Sequence, residues 1–211
     1  TTYSDVRLSP DCQARLGALV EAASTVGAAQ IQNRGTLGGN IANASPAGDT
    51  LPVLLATDAE IVVGSARGER VIAAADFFPG YRQTALAADE LILRIRIPTP
   101  PGRQVRFRKV GTRRAQAISK IVMSLAWEVG PGGRWERVRV ALGSVAATPI
   151  RAHATEHALE GQALTVAWAA TAAETLAGEL QPIDDIRSTA DYRRTVAARI
   201  LHRMLREAGG W

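Results

Sequence analysis

The chain changes its hydrophobic period several times, and glycine, proline or a short polar cluster marks each change. Ser9-Pro10 reads as an N-cap followed by a first helical residue, and Leu16, Leu19, Val20 and Ala23 then recur on one stripe of a single helix. A glycine-rich segment from Thr36 to Asn40 is expected to form an irregular loop with its backbone amides facing a cleft. Residues 46–56 read as a short helix ending before Thr57-Asp58. Glu60 to Val63 and Glu69 to Ile72 are β-rich runs joined by Gly64-Ser65-Ala66-Arg67-Gly68, which predicts a hairpin. Leu91, Leu93, Ile95 and Ile97 alternate with Ile92, Arg94 and Arg96, as along a strand. Pro98, Pro100, Pro101 and Gly102 end that pattern and place a domain boundary near residue 100, dividing the chain into 1–100 and 101–211.

Beyond the boundary, Gln104 to Lys109 reads as a strand, and Lys120 to Val129 with Trp135 to Val145 as a second hairpin around Gly130-Pro131-Gly132-Gly133. The character then turns helical. Arg151 to Leu159 ends at Gly161, Leu164 to Ala177 ends at Gly178, and Thr189 to Ala208 carries Tyr192, Val196, Ile200 and Met204 at helical spacing. Strands followed by helices indicate an α+β fold.

The segment Arg34 to Asp49 holds the densest chemistry. Three glycines fall within five residues, and short polar residues and an acid follow. Glycine lets a backbone approach a ligand with no Cβ in the way, and successive loop amides can form an anion-binding concavity. No lysine follows Gly39 and the spacing is not G-x-G-x-x-G, so neither standard nucleotide loop fits. The loop suits a flat, phosphate-bearing cofactor.

With Val26 to Gln32 before it, this segment resembles the second flavin-contacting stretch of the FAD-binding medium subunit of molybdenum hydroxylases, the group that includes xanthine dehydrogenase and carbon monoxide dehydrogenase. The resemblance continues through Asp76-Phe77-Phe78-Pro79-Gly80-Tyr81-Arg82, Asp89-Glu90-Leu91-Ile92, Phe107 to Arg114 and Asp185 to Arg194. It implies the second half of an FAD-binding domain, followed by a small C-terminal domain with an antiparallel three-stranded sheet and a helical bundle. It places Thr36, Leu37, Gly38, Gly39, Asn40, Ser45 and Asp49 on FAD, with Leu37 against the flavin ring and Asp49 able to accept from a sugar hydroxyl. Ile92 matches a flavin-contacting position, with a plain sheet residue as the alternative. Lys109, one of only two lysines, is placed at the flavin, where its charge would favour the anionic reduced ring; otherwise it is a solvated strand-end lysine.

Family members begin with a further subdomain that wraps the FAD pyrophosphate, and the chain opens at Thr1 in what matches the middle of their domain. The resemblance therefore implies a fragment that needs this N-terminal FAD subdomain, and that alone is inactive and binds FAD weakly or not at all. It also implies two partners, a molybdopterin-binding large subunit and a [2Fe–2S] iron–sulfur small subunit, with electrons passing from the clusters through FAD to an acceptor in a cytoplasmic oxidoreductase. After Arg114 many members place an acid where this chain has Ala115-Gln116-Ala117-Ile118, so no salt bridge is expected there.

Composition narrows the alternatives. The net charge of +5 comes almost wholly from dispersed arginines with few aromatics, which argues against nucleic acid and for solvated faces or docking of acidic subunits. No apolar run approaches the ~20 residues of a membrane span. A lone Cys12 excludes an internal disulfide and a cysteine-held cluster. The dibasic pairs Arg113-Arg114 and Arg193-Arg194 read as solvated or subunit-docking positions. Two other functions remain open at this level. One is a non-catalytic docking module; the other is a zinc hydrolase using His153 and His157 of His153-Ala154-Thr155-Glu156-His157, which share a helix face but lack a visible third ligand.

Overall fold

A computed structural model of the chain describes residues 1–113 and 116–211, so Arg114 of the Arg113-Arg114 pair and Ala115 lie outside the described residues. Two antiparallel sheets organise the fold. The first has the order β2-β1-β3, from β1 (Glu60–Ser65), β2 (Gly68–Ala73) and β3 (Leu91–Arg96). The second has the order β4-β5-β6-β7, from β4 (Gln104–Val110), β5 (Ile121–Val129), β6 (Trp135–Gly143) and the two-residue β7 (Ile150–Arg151). Both hairpins stand where the turn residues place them.

Short helices precede the first sheet: α1 (Tyr3–Leu8), α2 (Pro10–Arg15), α3 (Gly17–Ser24), α4 (Ala29–Arg34), α5 (Leu37–Asn43) and α6 (Leu51–Ala56). Ser9 and Pro10 cap α2 as expected, the Ser9 hydroxyl accepting from the Cys12 amide. The single helix expected beyond them is broken at Leu16 (φ −129°, ψ 40°), just ahead of Gly17. Glycine is a poor helix former. The break lets α3 bury Ala18, Leu19, Ala22 and Ala23, while α2 stays exposed or half-buried. All six residues of α6 are buried, because it packs against strands β5 and β6 and shares a core cluster with Ile61, Val63 and Ile72 of the first sheet.

Strand β3 departs from simple alternation. Its pairing with β1 shifts register between Val62 and Val63, so Val62 opposes Arg94 while Val63 opposes Ile92. Leu93 is the extra residue of this bulge. Ile92, Ile95 and Ile97 therefore pack on the core, and Leu91 and Leu93 stay exposed. From β2, Arg70 forks onto both oxygens of Glu90 at 2.7 Å. Bonds from Arg70 and from the Ala87 amide hold the Glu90 carboxyl down at about 2. A depressed folded-state value stabilises above the unfolded value and is lost as pH falls through the folded one. We expect the wild type to lose this contribution between about pH 4.5 and 2, and Glu90→Gln to lack that part of the acid transition in urea unfolding.

Three helices, α7 (His153–Leu159), α8 (Val166–Glu179) and α9 (Ala190–Gly209), cover one face of the second sheet. Helix α8 runs through Gly178 to Glu179, beyond the expected stop. The Glu179 carboxylate caps α7, accepting from the amides of Ala154 at 2.9 Å and Thr155 at 3.0 Å. The buried stripe of α9 is Arg193, Ala197, Leu201, Met204 and Leu205, offset by one residue from the apolar periodicity before Met204. The two halves of the chain meet closely. Ala126 and Ala141 join the core of the first half, and Asp58 receives Arg139 at 2.9 Å and Arg151 at 3.4 Å.

Candidate functional site

The glycine segment folds differently from expectation. Thr36 caps α5, its hydroxyl accepting from the Gly39 amide at 2.9 Å. The Leu37 amide donates to the Thr1 carbonyl at 3.1 Å and the Asn40 amide to the Thr36 carbonyl at 3.0 Å. Three of the four amides from Leu37 to Asn40 are thus engaged within the chain, so an irregular amide-lined loop is not what forms. Two of these bonds are local, both to Thr36, and the third is long-range: residues 1–3 lie beside 35–37, with a bridge between Thr2 and Thr36. The glycines still leave the backbone open, since Gly38 is half-buried and Gly39 exposed. A Cβ on Gly38 would stand 3.9 Å from Ile92 Cγ2, so this opening and Ile92 are neighbours.

Leu37 turns into a core cluster with Tyr3, Val6 and Phe107, which sets its side chain apart from any opening. Asn40 accepts from the Thr50 hydroxyl at 2.7 Å. Beyond α5, Ala44 takes a left-handed conformation (φ 46°) and reverses the chain towards Ser45.

Lys109 and Asp49, 60 residues apart, meet as a buried ion pair at 2.5 Å, each side chain 9 % exposed. Lys109 also donates to the Thr25 carbonyl at 3.0 Å. Burial pushes the Asp49 carboxyl up, and the Lys109 charge opposes that rise. Burial, with the Asp49 charge adding to it, likewise pushes the Tyr3 phenol up to about 12. Lys109 is therefore not a solvated strand-end lysine.

Ser45 and Asp49 line a cavity of about 840 Å³ between the two halves of the chain. Tyr81 and Arg82 close one side of it, while Ser144, Asp185 and Arg193 come from the C-terminal half. Arg193 was expected on a solvated face. It is buried, donating to the Lys120 carbonyl at 2.9 Å and to Asp185 at 2.8 Å. An arginine inside an apolar stripe leaves no signal in hydrophobic periodicity, although its fork matches this set of acceptors. A smaller cavity, about 540 Å³ between α2–α3 and β4, holds none of the residues assigned from sequence.

The histidines of the zinc alternative are both exposed, while Glu156 between them is buried. Glu156 accepts from the Val140 amide at 2.9 Å and from Arg151 at 2.8 and 2.6 Å. Among the described residues, no group of three His, Cys, Asp or Glu side chains could hold a metal ion. The motif is a structural anchor.

Residues 1–100 match the FAD binding domain in molybdopterin dehydrogenase, and residues 106–208 match the CO dehydrogenase flavoprotein C-terminal domain. The carbon monoxide dehydrogenase medium chain of Hydrogenophaga pseudoflava is 32 % identical, over 99 % of this chain and 72 % of its own length. The chain belongs to the FAD-binding medium subunits of the molybdenum hydroxylases.

The nicotine 6-hydroxylase medium subunit of Paenarthrobacter nicotinovorans is 34 % identical over the same shares, 99 % and 72 %. In three dimensions, this medium subunit superposes on a chain of carbon monoxide dehydrogenase from Hydrogenophaga pseudoflava with a TM-score of 0.91 at 33 % identity, covering 96 % of this chain and 70 % of that one. These relatives are oxidoreductase subunits. No helix among the described residues of this one is long and apolar enough to cross a membrane.

Proposed function

We propose that this chain is the flavin-carrying component of a molybdenum hydroxylase. It receives electrons from [2Fe–2S] clusters on an iron–sulfur subunit, and a molybdopterin subunit oxidises the substrate. The observation that carries the reading is the cavity between the two matched domains, whose wall bears Ser45 and Asp49 beside Tyr81. FAD supplies the two-electron chemistry when bound. The residues present fit such a group: Asp49 on the cavity wall is held by its pair with Lys109, and Gly38 and Gly39, outside the cavity lining, leave backbone uncovered beside Ile92. Thr36 and Asn40 shape α5, and Leu37 supports it from the core. The division into domains falls near residue 100, in the Pro98 to Gly102 segment.

Titration of FAD with the purified chain, followed by flavin fluorescence, tests the assignment. Weak quenching is expected of this chain without the pyrophosphate-wrapping subdomain, and Gly38→Val should weaken it by about tenfold or more, equivalent to ~1.4 kcal/mol, by covering the opening beside Ile92. Quenching that Gly38→Val leaves unchanged removes α5 from the flavin site.

A further inference from the structure

The smaller cavity, about 540 Å³, lies where α2 and α3 face β4 and the Ile97 to Pro100 segment, and it shares no lining residue with the larger one. Its volume falls within the roughly 300–1,000 Å³ usual for small-molecule sites. Four arginines line it, Arg15, Arg103, Arg106 and Arg108, against a single acid among the described residues, Glu21. Leu16, Ile97, Pro98 and Val105 give the same lining an apolar part.

The four guanidinium groups are not equally occupied. Arg103 is buried and donates to the carbonyls of Ala56 and Arg137. Arg108 donates to Glu207 at 2.7 Å and to the Phe107 carbonyl at 3.0 Å, with Glu21 at 3.5 Å. Glu207 is already shared: Arg203 donates to it at 2.9 Å, and Arg106 reaches it only at 3.5 Å. Arg15 donates to the Thr99 hydroxyl and has no acid within ion-pair distance among the described residues. One carboxylate for three guanidinium groups, and none for Arg15, leaves a positive excess at this cavity. Arg15 and Arg106 keep most of their donors unbonded among the described residues. Helix α3 also begins at Gly17 on this lining with no side-chain cap, so the Gly17 amide adds a donor.

We propose that this cavity is a binding site for a small organic acid, its carboxylate held by Arg15 and Arg106 and its apolar body lying against Leu16, Ile97 and Pro98. A guanidinium fork meets a carboxylate with two parallel hydrogen bonds, which a compact ammonium cannot do. The apolar lining rewards an organic body that a bare inorganic anion lacks. Arg15 belongs to the matched region 1–100 and Arg106 to 106–208, so a carboxylate between them ties the two halves of the chain together. The site has no part in the flavin reading and stands or falls without it.

Benzoate, the neutral benzamide of similar shape and inorganic phosphate are titrated separately into the 15N-labelled chain. Benzoate is expected to shift the amides of Arg15, Gly17 and Arg106 to saturation, with benzamide and phosphate each weaker by about tenfold or more. Arg15→Gln and Arg106→Gln should each raise the benzoate Kd by about tenfold or more, which corresponds to ~1.4 kcal/mol. Arg15 is exposed, so its variant keeps the test decisive even where Arg106→Gln disturbs β4. Benzamide binding as tightly as benzoate would remove the need for charge, and phosphate binding as tightly would remove the organic body; either overturns the proposal. Benzoate shifts that never saturate, or that ignore Arg15→Gln, overturn it as well.

Discussion

Lys109→Met will destabilise the chain by about 3–5 kcal/mol at neutral pH, because it strands the Asp49 carboxylate in a buried position. Among the described residues Lys109 is the one charged hydrogen-bond partner of Asp49, and Asp49 Oδ1 is buried with none. A carboxyl whose folded value lies above its unfolded value favours the folded state below the unfolded value, and that advantage disappears as pH rises through the folded one. Asp49 is already of this kind with Lys109 present, and losing the cation moves it further up. The variant should therefore gain stability as pH falls from 7 towards 5, and Lys109→Met/Asp49→Leu should recover most of the loss at pH 7. Urea unfolding across that range measures both. A single variant as stable as the parent, with no pH dependence of its own, would show that the pair contributes nothing. The same pairing changes what is expected of a bound flavin: Lys109→Met leaves the Asp49 carboxylate behind, so the potential falls only as far as Asp49 stays ionised in the variant.

Glu156→Ala will cost a similar amount, about 3–5 kcal/mol. The substitution leaves the largely buried Arg151 guanidinium without its closest partner and the Val140 amide without an acceptor. Asp58 stands 3.4 Å from Arg151 and is nearly half exposed, so it replaces little of the loss. Glu156→Gln keeps an acceptor for Val140 and should fall between parent and alanine. Thermal unfolding with and without zinc or a chelator separates this anchor role from metal binding. Neither addition should move the parent's midpoint, and a large zinc-induced rise would restore the hydrolase alternative.

Much of the fold was legible because its signals are local. Ser9-Pro10, the two glycine-rich hairpin turns and the Pro98 to Gly102 break each act through a few neighbouring residues, and the elements stand beside them. Errors arise where a distant partner decides. Local pattern cannot show Leu93 as a bulge, since the shift depends on how Val62 and Val63 meet β3. Gly178 looks like a helix end until Glu179 is needed as a cap for α7, 25 residues earlier. The candidate site divides in the same way. Glycine spacing pointed to an exposed backbone, which Gly38 and Gly39 provide, but Thr36 engages the Gly39 and Asn40 amides locally and the distant Thr1 carbonyl engages that of Leu37.

Sequence by itself determined the membership of the family, the α+β order of elements and the residues from which a flavin wall could be made, because these depend on residue type and short spacings. Only the tertiary structure decided that Asp49 and Lys109 neutralise each other and that Arg193 belongs to the core of the C-terminal half. It alone also drew Ile31, Tyr81, Ile118 and Ile183 to one opening. Each of these joins residues far apart in the chain. The free energy of such contacts depends on burial and on distances between charges, which come into being only when the two halves close on each other.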